Sequence, residues 1–257
     1  MKWMRFKQGE REGFGALQGD TVQVHEGSMF DRPTATAEHI QVSELEWRVP
    51  CQPSKMIGLW NNFHALAAKN GWATPAQPLY FLKANSSFAA HQQLIVPPAK
   101  DIGRVAFEGE LAVVIGKTGH NLSLADAPAH IFGYTCANDV TAIEVLHSDP
   151  SFPQWARSKS FDTFGVFGPV IETDFNFAAA TLLTRVGGRE RQNYELRDMV
   201  FSPLELVSRI SRDMTLFPGD VILCGTSLGV LPMKAGSEVE VEIDSIGVLS
   251  NRFGTAS

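Results

Sequence analysis

Phe107-Glu108-Gly109-Glu110-Leu111-Ala112-Val113-Val114-Ile115-Gly116 sets two carboxylates against an unbroken apolar run. A short run of this kind, rich in β-branched residues and bounded by glycine, reads as a buried strand. A strand repeats its face every second residue, so Glu108 and Glu110 are expected to point the same way. At a separation of about 6 Å and an effective dielectric of about 20, their repulsion is roughly 2.8 kcal/mol, which calls for a cation nearby. Carboxylates without His or Cys beside them suit Mg2+, Mn2+ or Ca2+ better than zinc. Two glutamates on a solvated strand face are the ordinary alternative for the pair taken alone.

Downstream, Ile131 to Ala142 (IFGYTCANDVTA) places Asp139 at the end of a second apolar strand, where it offers a third carboxylate or, more plainly, an Asx turn. Arg157-Ser158-Lys159-Ser160-Phe161-Asp162-Thr163-Phe164-Gly165 sets a lysine among small and aromatic residues. Pro218 to Val230 is a turn, an apolar strand and a Gly-rich exit that lets backbone approach a ligand. Further strands are expected at Leu79 to Leu82, Leu94 to Val96, Val166 to Ile171 and Glu238 to Ile243. Val186-Gly187-Gly188-Arg189 reads as a hairpin turn.

Helices are few. Leu204, Val207 and Ile210 repeat at helical intervals after Ser202 as a cap. A short helix runs from Phe63 to Lys69, closed by Asn70-Gly71, with His64 near its start. From Met1 to about Pro50 the pattern is of short alternating segments, read as a small β-rich N-terminal domain, with residues 51–257 forming the larger one. The fold class is therefore mostly β with a few helices.

Composition excludes several functions. With 257 residues, 44% apolar and 19% charged, the chain is long enough for a large core and is too apolar for a disordered tail. The net charge of −6, without a basic run, argues against nucleic acid as a partner. No apolar stretch approaches the ~20 residues of a membrane helix. The N-terminus turns polar before a signal peptide can develop, so a cytoplasmic location is expected. Cys51, Cys136 and Cys224 lie outside any CxxC pattern and read as buried thiols.

Four motifs in order carry a resemblance: E-x-E at Glu108 and Glu110, G-Y-x-x-x-N-D at Gly133 to Asp139, K-S-F-D-T-F at Lys159 to Phe164, and P-G-D-V-I-x-x-G-T at Pro218 to Thr226. From about Met56 to Phe253 the sequence resembles the fumarylacetoacetate hydrolase family, the group of fumarylacetoacetate hydrolase, fumarylpyruvate hydrolase and 2-hydroxyhepta-2,4-diene-1,7-dioate isomerase. The resemblance implies a rolled, mixed β-sandwich preceded by a small N-terminal domain, usually in a homodimer. It implies that Glu108, Glu110 and Asp139 hold Mg2+ or Mn2+, with Lys159 beside metal and substrate. Lys83, Thr163 and Thr226 match residues that contact the substrate or the metal surroundings.

Departures bear on the chemistry. Relatives with N-Y-x-x-H-x-x-E in a lid carry a water-activating His-Glu pair. Here Trp60 and Asn61 replace the first two residues, His64 is kept, and Ala67 stands where the Glu is expected. T-A-R-D after the metal aspartate reads Thr141-Ala142-Ile143-Glu144, which removes an arginine suited to a substrate carboxylate. The expectation is a metal-dependent hydrolase cleaving a C–C bond in a small 2,4-dioxo acid of the acylpyruvate or fumarylpyruvate type, in aromatic or organic acid catabolism. His64 would move the proton, Lys159 would act as a fixed cation, and a lid near residues 60–72 would close over the substrate. The alternatives are an isomerase or decarboxylase of an oxo-dicarboxylate on the same scaffold, and a non-catalytic metal and organic-acid binding protein.

Overall fold

The computed structural model describes residues 1–255 and is dominated by strands. One large sheet runs in the order Asp31–Gln41, Thr21–Ser28, Arg11–Gln18, Lys2–Gln8, Gly165–Glu172, Ile131–Asp139, Gly109–Ile115, Val221–Leu223, Met56–Trp60, Leu79–Lys83. Most neighbours are antiparallel, but Val221–Leu223 runs parallel to Met56–Trp60, so the sheet is mixed. A second, five-stranded sheet is ordered Arg189–Glu195, Thr181–Val186, Glu238–Ile243, Gly247–Phe253, Leu94–Ile95. This is the mixed β-sandwich expected.

The N-terminal strands form a meander whose successive members pair antiparallel. They join the larger sheet edge-on, where Lys2 and Trp3 pair with Glu172 and Ile171. Strand Thr21–Ser28 shows the alternation its sequence suggests: Val22 and Val24 are buried, whereas Thr21 and Gln23 are half-buried.

The central strands Gly109–Ile115 and Gly165–Glu172 are buried at every position, which explains why their sequences are nearly continuous apolar runs. The chain from Val105 to Ile115 forms two strands rather than one. Val105–Ala106 pairs with Thr141–Ala142, and the chain enters the main sheet only at Gly109. A side chain at Gly109 would lie 2.1 Å from Thr184 Oγ1, so glycine here lets the second sheet pack onto the first.

Helix Pro203–Asp213 starts at a Ser202–Glu205 capping box and buries Leu206, Val207 and Ile210 along one face. Helix His64–Asn70 ends at Gly71 in the left-handed conformation, as its sequence indicates. No described helix is long and apolar enough to cross a membrane. All three cysteines are buried and unpaired, and burial raises the thiol pKa of each, Cys136 to about 12.

His91 sits where the N-terminal segment meets both sheets. Its ring is edge-on to Trp47 at 4.8 Å, and its Nδ1 accepts the Ser250 N–H at 3.0 Å. Burial pushes its pKa from 6.5 down to about 4. The folded protein therefore keeps a neutral ring that the unfolded chain would protonate. Its contribution is present above pH 6.5 and is lost as pH falls towards 4, amounting to about 3 kcal/mol at most. Denaturant titrations should show stability falling across that interval, and His91→Gln should flatten the fall. An unchanged slope in the variant would remove His91 as its source.

Candidate metal and substrate site

Neighbouring strands bring the three acids together. Gly109–Ile115 pairs with Ile131–Asp139 in a register that sets Gly109 opposite Asn138 and Glu110 opposite Ala137. Glu108 lies one residue ahead of its strand. Its N–H donates to Asn138 Oδ1 at 3.0 Å and its carbonyl accepts the Asp139 N–H at 2.9 Å, which prolongs the ladder by a side chain. One carboxylate oxygen from each of Glu108, Glu110 and Asp139 then falls within 4.8 Å of the others. Glu110 and Asp139 are wholly buried, while Glu108 is partly open.

Two lysines reach into the cluster. Lys159 Nζ donates to Glu108 Oε2 at 2.8 Å and Asp139 Oδ2 at 2.7 Å. Lys83 Nζ pairs with Asp139 Oδ1 and reaches the Val140 carbonyl at 3.4 Å. The Thr141 hydroxyl donates to Glu108 Oε1 at 2.6 Å. Helix Trp155–Lys159 delivers its first and last residues to one side, because positions four apart share a face. Phe81 and Lys83 alternate inward on strand Leu79–Lys83 by the period of two.

The electrostatics follow from this wiring. Burial alone would raise the Asp139 pKa, but Lys159 and Lys83 outweigh it and hold the carboxyl below its usual range. Burial alone would depress Lys159, but Asp139 and Glu108 reverse the sign and keep it an ammonium. Lys83 is depressed, since burial exceeds what Asp139 returns. Glu110 is pushed well above the ordinary carboxylate range by burial, then by Asp139 and Glu108. Its Oε2 accepts the Gly225 N–H at 2.7 Å, from a glycine at φ +89°, whereas its Oε1 is buried with no partner.

Three acids thus face two lysines, and the acid that neither lysine touches, Glu110, is the one with an orphaned oxygen. Buried polar groups are normally satisfied, so such an atom calls for a missing partner. Hard oxygen donors converging on one point fit a divalent cation of the Mg2+ or Mn2+ kind.

Over the cluster opens a cavity of about 230 Å3. Its polar floor includes Asn61, Glu108, Thr141, Lys159 and Thr226; its walls are apolar, among them Trp60, Leu66, Trp72, Phe81, Leu146 and Trp155. Thr226 is held from behind: Gln192 Nε2 donates to its Oγ1 at 2.8 Å while that hydroxyl donates to the Gly109 carbonyl at 3.0 Å. Gln192 Oε1 also accepts the Gly109 N–H at 2.9 Å, so one buried side chain ties the threonine loop to the acid-bearing strand.

The structure therefore brings together Glu108, Glu110, Asp139, Lys159, Lys83 and Thr226. It places two other candidates elsewhere. His64 is exposed in the first turn of helix His64–Asn70, outside the cavity lining, although Leu66 of the same helix lines it. The Thr163 hydroxyl accepts the Val96 N–H at 2.7 Å and donates to the Asp162 carbonyl. Thr141, Asn138 and Gln192 join the site although no sequence motif gives them a role. Asn138 was visible beside Asp139 in the N-D pair, but Gln192 lies on the far sheet with no local signal.

A β-sandwich presenting buried carboxylates and a lysine at the foot of a small cavity has the donor set for a divalent cation and room beside it for a small molecule. Residues 55–254 match the Fumarylacetoacetate (FAA) hydrolase C-terminal family, and residues 1–50 match the Rv2993c-like N-terminal family. The chain belongs to the fumarylacetoacetate hydrolase family of enzymes. It is 35% identical over 227 residues to the oxaloacetate tautomerase YisK of Bacillus subtilis, covering 83% of this chain and 74% of that one. The crystal structure of 5-carboxymethyl-2-hydroxymuconate delta-isomerase from Mycobacterium smegmatis matches with a TM-score of 0.92, 33% identity and 99% of each chain covered. Maleylpyruvate hydrolase from Sphingobium sp. SYK-6, in complex with manganese(II) and pyruvate, shares the fold at TM-score 0.81 over the full length of both chains, with 24% identity.

Saturating Mn2+ should raise the melting temperature of the wild type by roughly 5 °C or more, through binding to the folded state alone. Glu110→Gln should abolish that rise. Without metal, the raised pKa of Glu110 makes its contribution unfavourable as pH increases, so the variant should be at least as stable as the wild type at pH 8. A wild-type-sized Mn2+ shift in the variant would exclude Glu110 as a ligand.

Proposed function

We propose that this enzyme interconverts the keto and enol forms of a small 2-oxo acid, with Mg2+ or Mn2+ held by Glu108, Glu110 and Asp139. The observation that carries the reading is the three-carboxylate cluster beside Lys159, an ammonium kept protonated by the acids it touches. As the C3–H bond breaks, its electrons form the C2–C3 double bond and the carbonyl pair moves onto oxygen. The proton that leaves C3 passes to His64, which delivers it to that oxygen to give the enol, and the reverse returns it to C3. No water is consumed.

A hard divalent ion here supplies Lewis acidity towards a 2-oxo oxygen and its carboxylate. Lys159 spends two donors on Glu108 and Asp139 and keeps a third for developing negative charge. Lys83 holds Asp139 in place from the opposite side. The aromatic walls exclude water and so strengthen these charge interactions. His64 is assigned the proton transfer. It lies two residues before Leu66, which already lines the cavity, so a modest movement of the lid helix would bring the imidazole to the substrate.

Hydrolytic C–C cleavage of a 2,4-dioxo acid is the second reading, favoured by retention of His64 in the lid segment. It shares the enolate but also needs an activated water, and Ala67 carries no group to assist one. Two relatives named for isomerising reactions, the Bacillus subtilis oxaloacetate tautomerase and the Mycobacterium smegmatis delta-isomerase, support the first.

Loss of enol absorbance from freshly dissolved 2-oxo acids, with acylpyruvate cleavage followed in parallel, separates the two readings. Faster enol decay without loss of carbon supports tautomerisation. Release of pyruvate from acylpyruvates without enol acceleration would transfer the assignment to hydrolysis. His64→Ala should lower turnover about a hundredfold or more while keeping the Mn2+ thermal shift, and unaltered turnover would take His64 out of the mechanism.

A further inference from the structure

We infer that the substrate's far end is an apolar, preferably aromatic, group rather than a second carboxylate, an inference that rests on the 2-oxo acid reading of the site. The cavity over the carboxylates adjoins a second, more open one of about 500 Å3, and the two share Trp60, Phe81 and Trp155. The outer cavity continues over Leu79, Tyr80 and Pro153. A molecule whose oxo-acid end reaches Lys159 therefore has an aromatic corridor as its exit.

The rings are arranged as a lining. Phe81 and Trp155 stack at 5.5 Å with a 12° tilt between planes, Trp60 lies 5.9 Å from Trp155, and Trp72 lies 4.9 Å from Trp60. Planar apolar surfaces of this kind recruit another ring by offset or edge contact. A carboxylate placed among them would lose its hydration and meet neither a guanidinium nor an unpaired ammonium. Across the linings of both cavities the basic side chains are Lys159, already bound to Glu108 and Asp139, and His147. The position where the resemblance expects an arginine is Ile143, half-buried, and the acid after it, Glu144, is paired with Arg104 on the exposed surface at 2.5 Å. The lid helix adds Leu66 to the wall, and Trp72 follows just beyond it.

Calorimetry on the Mn2+-loaded full chain should compare oxalate, which copies only the oxo-acid end, with phenylpyruvate and oxaloacetate. Phenylpyruvate should bind about tenfold or more tightly than oxaloacetate, from burial of one ring. Trp72→Ala, at a residue 39% exposed and safe to truncate, should lower phenylpyruvate affinity several-fold and leave oxalate unchanged. Leu146→Arg should reverse the order in favour of oxaloacetate. If oxalate binds but oxaloacetate equals or exceeds phenylpyruvate in the wild type, the apolar-tail inference is wrong while the 2-oxo acid reading survives. If oxalate fails to bind, the reading beneath it fails. If Trp72→Ala changes the oligomeric state and leaves phenylpyruvate affinity intact, the aromatic face belongs to a subunit contact and the inference is overturned.

Discussion

Burying three carboxylates against one another is the constraint around which this protein is organised. Glu110 and Asp139 have no access to water, and Glu108 has little. Their mutual repulsion in a medium of reduced dielectric is worth several times its value in solution. The fold answers with oriented partners: Lys159 bridges two of the acids, Lys83 holds the other oxygen of Asp139, Thr141 caps Glu108 and the Gly225 N–H meets Glu110. The compensation stops at Glu110, whose Oε1 has no partner. A structural salt-bridge cluster gains nothing from such a gap, whereas a cation site requires it.

The topology explains how so many charged groups share one place. Lys83 comes from the edge strand of the large sheet, Lys159 from a short helix, the acids from two central strands and the Thr226 loop from the end of a third. Gly109 lets the second sheet approach closely enough for Gln192 to tie the threonine loop to the acid-bearing strand. The polar floor is thereby braced from both layers of the sandwich. The aromatic walls above it rest on helices and strand ends near the cavity mouth.

Much of this was legible in the chain. The apolar runs at 109–115 and 131–139 are strands because they are buried on both faces, and the acids at their ends stand out against them. The helix Pro203–Asp213 and the left-handed stop at Gly71 follow from local capping chemistry. The parts that were not legible depend on partners far away in sequence. Glu108 has the sequence setting of a strand residue, yet it is held by the Asn138 side chain just outside the strand. Thr163 carries a motif position, but its hydroxyl is occupied by Val96. His64 begins its helix as expected and still faces solvent, because orientation is set by what the helix packs on and not by where it starts.

Residue order alone determined the β-rich class, the acids and the lysine that the proposed chemistry uses, and the family they belong to. Periodicity and capping are local, so they can be read without coordinates. Only the tertiary structure decided that Lys159 binds two acids, that Glu110 keeps an unpartnered oxygen, and that tryptophans from residues 60, 72 and 155 line one mouth. Electrostatic compensation and cavity shape depend on distances between segments more than a hundred residues apart, and nothing short of the packed chain sets those distances.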